Sequence, residues 1–305
     1  MGLQKGIIPS IFYGNYFYGI CTVSLCIESN MQQGLPLNSF LFYFLIYLGT
    51  IIYYNMAYLG EVHAPYDNER THWYAANRKW VMQLQYVFLL ACVIVGIYLL
   101  VTYFKNLHYI SIAQLFPVAI VGIIAILYYG VSLGKNIRIN VRDTGWIKPF
   151  IIGLVWATAV SYVPILWYEV AHGVHYEFSW FNIWFLGKNF MFISLLAILF
   201  DIKDYIADHN KKLKTFVVRI GLKKTIFYII IPLTALGFIS FMGFAFLRHY
   251  HPVRILINSI PFILLLIVAW SMQKKRSILF YLTIIDGLMV VKAVCGIAGI
   301  LLTAK

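Results

Sequence analysis

The sequence has few charged residues, and acidic residues are the scarcest of them. Only 11% of the 305 residues are charged, with 11 aspartates and glutamates against 24 lysines and arginines. Soluble domains carry about 25% charged residues. Hydrophobic residues make up 62% of the chain, and the mean hydropathy is +0.80. This composition excludes an ordinary soluble protein and indicates a polytopic membrane protein.

The chain also has only four cysteines, and all of them lie in apolar stretches. Cys21, Cys26, Cys92 and Cys295 form no C-x-x-C pair and have no histidine at ligand spacing. Disulfide frameworks and structural zinc sites need such regular spacing, so the sequence supports neither. We expect the four cysteines to be small residues of the core.

Nine apolar segments are long enough to cross about 30 Å of hydrocarbon. They lie near residues 7–27, 39–60, 82–104, 108–133, 149–171, 180–200, 226–247, 253–272 and 277–302. The pattern predicts an all-α polytopic membrane protein with nine transmembrane helices, in a single domain over residues 1–305.

Positive charges are distributed unequally between the two sides of these segments. With the N-terminus inside, 18 of the 24 lysines and arginines face the cytoplasm and four face the other side. This bias is the positive-inside signal. It predicts an integral, multi-pass protein of the bacterial inner membrane, with a cytoplasmic N-terminus. The net charge of +13 is then a topology signal suited to the lipid bilayer, and nucleic acid is not an expected partner.

Three charged residues lie deep inside the predicted spans, well away from the ends. Lys188 is in the sixth span, and Asp286 and Lys292 are in the ninth. Charges in the membrane are costly and often functional. For the two lysines we expect structural pairing across helices.

Two long polar insertions follow the second and sixth spans, on the predicted cytoplasmic side. Residues 61–80 and 201–225 together hold six of the 11 acidic residues. Short loops would suffice to join helices, so long charged insertions suggest function.

The second insertion opens with three aspartates. Asp201, Asp204 and Asp208 fall within an arc of roughly 60° if the segment is helical. Carboxylates this close repel one another, and a cation relieves the repulsion. Mg²⁺ is suited to such a site, because it takes one or two carboxylates and completes its shell with phosphate and water. The alternative is a solvated helix end without a specific role.

Basic residues follow the aspartates within the same insertion. Lys211, Lys212, Lys214 and Arg219 could contact the oxygen atoms of a phosphate group. Acids followed by bases at the mouth of an apolar cavity indicate a lipid diphosphate as ligand. The alternative for each lysine is an ordinary cytoplasmic anchor.

This segment resembles the second aspartate-rich motif of the UbiA superfamily of intramembrane prenyltransferases. That motif runs approximately D-x-K-D-x-x-G-D, followed by K-T-L-P and a glycine. The matching residues here are Asp201, Lys203, Asp204, Asp208, Lys214, Thr215 and Gly221, whereas Ala207 replaces the usual glycine. Residues 128–156 are also similar to the family's segment after the fourth helix, through Tyr128, Tyr129, Ser132, Lys135, Gly145, Trp146, Lys148 and Trp156.

The first aspartate-rich motif of that family is degenerate in this chain. Asn55 matches its start, but Met56, Leu59 and His63 occupy the positions of its three aspartates. Acids reappear only later, as Asp67 and Glu69. The first metal site is therefore shifted, reduced or lost.

The resemblance implies nine helices around a central cavity, and transfer of a prenyl group from an isoprenoid diphosphate to an acceptor with the help of Mg²⁺. The implied metal ligands are Asp201, Asp204 and Asp208, with Asp67 and Glu69 as candidates for a shifted first set. The implied diphosphate contacts are Asn55, Arg78, Lys135, Lys214 and Arg219. No catalytic residue is assigned, and the acceptor of the polyprenyl diphosphate is unidentified. Two alternatives are a degenerate member that binds isoprenoid lipid without catalysis, and a secondary transporter.

Overall fold

The computed structural model describes residues 6–60, 69–128, 131–132, 138–139, 145–203, 205, 215–274 and 277–303. These residues form eleven helices numbered below, a separate 3₁₀ helix Phe104–Tyr109 and one two-residue antiparallel strand pair, Val131–Ser132 with Arg138–Ile139. In chain order the helices are α1 Ile7–Tyr13, α2 Tyr16–Gln32, α3 Phe40–Gly60, α4 Glu69–Thr102, α5 Ile112–Tyr128, α6 Gly145–His172, α7 Trp180–Lys203, α8 Phe216–Ile220, α9 Leu222–Leu247, α10 Pro252–Ser271 and α11 Ile278–Leu301.

The prediction of an all-α polytopic membrane protein is confirmed. Seven of the described helices are long and apolar enough to cross a membrane, and the bent pair α1–α2 raises the number to eight. Helix α5 has 17 residues, slightly fewer than the roughly 20 that a span needs. Each of the nine predicted segments coincides with one of these helices or with the bent pair. The count of nine spans itself stays a prediction.

Both predicted polar loops contain helix. Helix α4 begins at Glu69 and has 34 residues, which gives it a length of about 51 Å at 1.5 Å per residue. Its first turns therefore project beyond the hydrocarbon and cover much of the first insertion. In the second insertion, the hydroxyl oxygen of Thr215 accepts a hydrogen bond from the Val218 amide and caps α8.

The core lies between helices that are buried on several sides. Helices α6, α7 and α11 each have half or more of their apolar window buried, whereas α4 is mostly exposed. The main cluster joins α2, α6, α7, α10 and α11 through residues such as Leu25, Val160, Ile198, Leu265 and Ile285. Helices that are apolar all round but exposed face lipid, so α4 belongs to the outer layer.

Three helices contain a π-helical turn, which is a recurrent feature of functional sites. The turns are Thr158–Tyr162 in α6, Ile226–Ile230 in α9 and Tyr281–Ile285 in α11. The first begins two residues after Trp156, and the last ends directly before Asp286. Trp156 and Asp286, which line the cavity described below, therefore lie next to these two turns.

A bend of 61° separates α1 from α2. Asn15 stands at the bend in the left-handed conformation, with φ of 64°. Its side-chain amide donates to Asn55 Oδ1 and to the Tyr74 hydroxyl, both at 2.9 Å. These bonds stabilise a backbone conformation that is uncommon for a residue other than glycine, and they join the bend to α3 and α4.

Candidate active site

Helices α2 to α7 and α11 enclose a cavity with about 130 Å³ of space for water-sized molecules. The presence of a central cavity agrees with the fold that the sequence predicts. Five of its lining residues are charged, namely Arg70, Lys148, Asp201, Lys203 and Asp286. The remaining lining residues are aromatic or aliphatic, so charge is confined to one part of an apolar enclosure.

Asp201 lies in the last described turn of α7 and is ion-paired across the cavity wall. Lys148 Nζ is 2.6 Å from Asp201 Oδ1. The aspartate is almost fully buried, and the lysine retains some exposure. Lys148 begins the α-helical part of α6, where Pro149 occupies the first turn, a position that suits proline. The pair thus joins α6 to α7 where the two helices pack closely.

Asp286 is the second carboxylate among the described residues that line the cavity. It follows the π-helical turn of α11 and is 3% exposed. The Tyr18 hydroxyl lies beside its carboxylate, and Arg70 and Lys203 are the cations that attract it. Asp201 and Asp286 therefore reach one cavity from helices that are far apart in the sequence.

Arg70 is held at the cavity by a polar network from α1, α2 and α3. Its Nη2 atom donates to the Asn15 side-chain oxygen and, at 3.2 Å, to the Tyr13 carbonyl oxygen. Its guanidinium also lies 4.1 Å above the centre of the Tyr58 ring. A guanidinium so held is oriented before any ligand arrives, which reduces the entropy that a bound anion must offset.

An aromatic group forms the wall between the charged region and the apolar interior. The Tyr18 and Tyr54 rings stack with centroids 4.6 Å apart. Trp156 Nε1 donates to the Tyr54 hydroxyl at 2.7 Å. Stacked rings present π faces that attract cations.

A second cavity, lined mainly by α3 and α6, is adjacent to the first. It has about 300 Å³ of space and shares Tyr54, Tyr128, Ile152 and Trp156 with the charged cavity. Its other lining residues are apolar except for Thr22, Tyr53 and Thr50. Two adjacent cavities, one charged and one apolar, are therefore separated by a shared aromatic wall.

The metal and diphosphate ligands predicted from the sequence do not all line the charged cavity. Asp201 lines the cavity. Asn55 is buried behind it, where its side-chain oxygen accepts from Asn15 and from the Tyr74 hydroxyl. Asn55 therefore supports the Arg70 network and is not among the lining residues. Lys135, Lys214, Asp67, Asp204 and Asp208 lie outside the residues that the structure describes.

The three other predicted residues are described but do not line the cavity. Glu69 is exposed and accepts a hydrogen bond from the Tyr13 hydroxyl at 3.0 Å. Arg78 is half-buried on α4, and Arg219 is exposed on α8. For these residues the roles in metal or diphosphate binding stay predictions.

Three charged residues that line the cavity were not predicted from the sequence to contact diphosphate or metal. Arg70 lies next to the predicted Glu69, and Lys148 belongs to the segment that resembles the family, but neither was assigned a role. Asp286 was noted only as a charge within a span. Its signal was its position, because a carboxylate inside a membrane span is costly and often functional.

Mg²⁺ binding can be tested against the chemistry of the donors. Within the described part of the chain, no group of three or more histidine, cysteine, aspartate or glutamate side chains could hold a metal by itself. Mg²⁺ does not need such a cage, because one or two carboxylates suffice when substrate phosphates complete the shell. Asp201 and Asp286 meet that requirement, so the donors present fit Mg²⁺ bound together with a diphosphate.

Searches for sequence relatives found no matching family and no matching curated protein. A comparison of structures found digeranylgeranylglyceryl phosphate synthase, described as a protein in membranes, with a TM-score of 0.55 and 12% sequence identity. The match covers 94% of this chain and 97% of the synthase. The synthase is a prenyltransferase of the UbiA family. The chain therefore has the fold of a UbiA-family prenyltransferase, and the resemblance predicted from the sequence is confirmed at the level of the fold.

Proposed function

We propose that this protein is a membrane prenyltransferase that transfers the prenyl group of an isoprenoid diphosphate to an acceptor, assisted by Mg²⁺. The observation that supports this most directly is that the charged and apolar cavities are adjacent and share the lining residues Tyr54, Tyr128, Ile152 and Trp156. A diphosphate needs the first environment and an isoprenoid chain needs the second. Few other ligands combine the two so completely.

Charge at the cavity favours an anionic ligand. Arg70, Lys148 and Lys203 outnumber Asp201 and Asp286, which leaves an excess of one positive charge among the described lining residues. The diphosphate would accept hydrogen bonds from these cations in a setting with little water, where such interactions are strong. Bound Mg²⁺ would neutralise further negative charge on the leaving diphosphate.

The chemical step that we propose is ionisation followed by capture of the prenyl cation. The bond between the allylic carbon and the bridging oxygen breaks, and its electron pair leaves with the diphosphate. Arg70 and Lys148 stabilise the charge that develops there. The faces of Tyr18, Tyr54 and Trp156 stabilise the allylic cation and exclude water. A nucleophilic atom of the acceptor then bonds to the allylic carbon and loses its proton.

We further propose that the charged end of the cavity opens toward the cytoplasm. Lys148 lies near the start of α6 and Lys203 at the end of α7, and both line the cavity. By chain order they are on the same side of the membrane as the predicted cytoplasmic segments that hold Lys223 and Lys274. Such basic flanks face the cytoplasm in most membrane proteins. Isoprenoid diphosphate would then enter from that side, with its chain in the membrane.

The test uses the detergent-purified full-length protein with geranylgeranyl diphosphate, Mg²⁺ and a panel of glycerol-phosphate and aromatic acceptors. Released inorganic diphosphate is measured. We expect acceptor-dependent release, reduced by about 100-fold or more in Asp201→Asn, in line with the loss of one preorganised charged group. Lys148→Met should behave similarly, whereas Lys223→Met, an exposed lysine on α9, should match the parent protein. No release with any acceptor would contradict the proposal.

One observation favours a second candidate, a protein that binds isoprenoid lipid without chemistry. At the positions of the missing first-motif aspartates, Met56 is 61% exposed and Leu59 packs beside Trp73. The same assay separates the two candidates. Saturable binding of geranylgeranyl diphosphate without release of diphosphate would select the binding protein.

A further inference from the structure

The degenerate first motif leaves α3 without a carboxylate at the cavity. Tyr54, Ala57 and Tyr58 are the residues of α3 that line it. Met56 points outward with 61% of its surface exposed, and Leu59 packs in the cluster around Tyr13 and Trp73. Restoring an acid at either position would not place it in the cavity with this orientation of α3. Among the described residues, a second carboxylate at the cavity therefore comes from a helix other than α3.

Helix α11 supplies one. Asp286 lines the same cavity as Asp201, and its side chain is directed there from the residue that follows the π-helical turn Tyr281–Ile285. That turn shifts the helical phase by an extra residue per turn and changes which face of α11 meets the cavity.

The Asp286 carboxylate has the Tyr18 hydroxyl beside it but no close cation among the described residues. It is 3% exposed, and within the described part of the chain no lysine or arginine nitrogen forms an ion pair with it at 4 Å or less. Arg70 attracts it from farther away, but the Arg70 Nη2 atom already donates to Asn15 and to the Tyr13 carbonyl. An ionised carboxylate without a close cation is expensive to bury. A metal ion held with the substrate would remove that cost.

We propose that Asp286 is the second carboxylate of the substrate-linked metal site, acting with Asp201 in place of the first-motif aspartates. This inference rests on the proposed function. It assigns the site to α7 and α11, with cations from α4 and α6. The divalent ion and the diphosphate bind together, because the cavity alone already carries excess positive charge and would repel a free metal ion.

The experiment measures Mn²⁺ binding by electron paramagnetic resonance, with Mn²⁺ as the probe for Mg²⁺. The full-length protein is studied in detergent with geranylgeranyl thiolodiphosphate, an analogue whose carbon–sulfur bond resists ionisation. We expect Asp286→Asn to weaken Mn²⁺ binding by about 10-fold or more, as for other disruptions around metal sites. Asp201→Asn should weaken it as well. Asp286→Glu, which keeps the charge, should recover a large part of the affinity.

Two further variants sharpen the test. Glu69→Gln removes the competing carboxylate that the sequence suggested, and Glu177→Gln removes an exposed acid at the other end of the bundle. Both should bind Mn²⁺ within about twofold of the parent protein, because neither side chain lines the cavity. Mn²⁺ binding that is weakened by Glu69→Gln and unaffected by Asp286→Asn would overturn the proposal.

The melting temperature of the metal-free protein distinguishes a metal ligand from a structural residue. A buried carboxylate without a close cation destabilises the free protein, so Asp286→Asn should melt at the same or a higher temperature than the parent. A lower melting temperature, together with weaker thiolodiphosphate binding in the absence of metal, would make Asp286 a structural residue and refute the proposal. If the parent protein binds neither Mn²⁺ nor the thiolodiphosphate, the proposed function fails as well. If only Asp201→Asn loses Mn²⁺, the function stands and the role of Asp286 does not.

Discussion

Removing one partner of the ion pair between Glu28 and Lys292 should cost several kcal/mol of stability, although the pair lies apart from the charged cavity. Lys292 Nζ is 2.5 Å from Glu28 Oε2, and both side chains are buried. The pairing of Lys292 across helices that the sequence predicted is thereby confirmed, with α2 as the partner helix. The test changes Glu28 to Gln and Lys292 to Met, which keep the shape of each side chain while removing its charge.

The magnitude follows from the distance and from the surroundings. At an effective dielectric constant of about 20, opposite charges 2.5 Å apart attract by about 7 kcal/mol, and several kcal/mol of desolvation per ion oppose that attraction. Removing one partner leaves the other charge buried, which costs about 3–5 kcal/mol. For Glu28→Gln the cost is reinforced by Lys188, because the ammonium groups of Lys188 and Lys292 lie 5.2 and 5.6 Å from the centre of the same ring, Phe185.

Thermal unfolding in detergent measures the effect. At about 2 °C per kcal/mol for a chain of this size, Glu28→Gln should lower the melting temperature by roughly 6–10 °C. Lys292→Met should do the same, since it leaves the Glu28 carboxylate alone. The double variant should melt well above either single variant, because no unpaired charge of the pair remains. Additive losses in the double variant, or single variants that melt like the parent, would refute this account of the pair.

Three other predictions concern packing and the apolar cavity. Gly153→Ala should destabilise the protein by about 1–3 kcal/mol, because its new Cβ would lie 2.8 Å from the backbone carbonyl oxygen of Phe190. The control Gly187→Ala meets nothing within 4 Å and should melt like the parent. Gly49→Phe fills the apolar cavity and should raise the KM for geranylgeranyl diphosphate by about 10-fold relative to geranyl diphosphate; equal changes for the two chain lengths would place the chain elsewhere. Trp156→Phe loses its 2.7 Å hydrogen bond and should cost about 1 kcal/mol in thermal unfolding.

The helices of this protein could be predicted because lipid imposes a simple rule on sequence. A span needs about 20 apolar residues with their backbone bonds made internally, and such runs are visible without structural information. The bend at Asn15 and the π-helical turns were not predicted, since they depend on contacts from other helices. Asn15 has the left-handed conformation because Asn55 and Tyr74 accept its amide protons. Partners of this kind, dozens of residues away, leave no local pattern.

The site could be predicted only where its residues share one segment. Asp201 was found because the aspartates recur at helical spacing beside basic residues. Asp286 and Arg70 reach the cavity from α11 and α4, so no spacing rule relates them to Asp201. Met56 shows the converse, since comparison with the motif assigned it to an aspartate position but could not reveal that its side chain points outward. A motif position therefore predicts a site residue only if the helix turns that position toward the cavity.

The arrangement of charge explains how a prenyltransferase fold could tolerate the loss of its first acidic motif. The reaction needs surroundings whose charge compensates the charge of the diphosphate. The compensating residues can come from different helices. In this chain Arg70 and Lys148 bring positive charge to the cavity and Asp286 brings a carboxylate from α11, and we propose that together they replace the first motif. Fixed cations are permanently in place, whereas a metal must be recruited with each substrate. A protein built in this way should depend less steeply on Mg²⁺ concentration than one with two complete acidic motifs, while still losing turnover when Asp201 is neutralised.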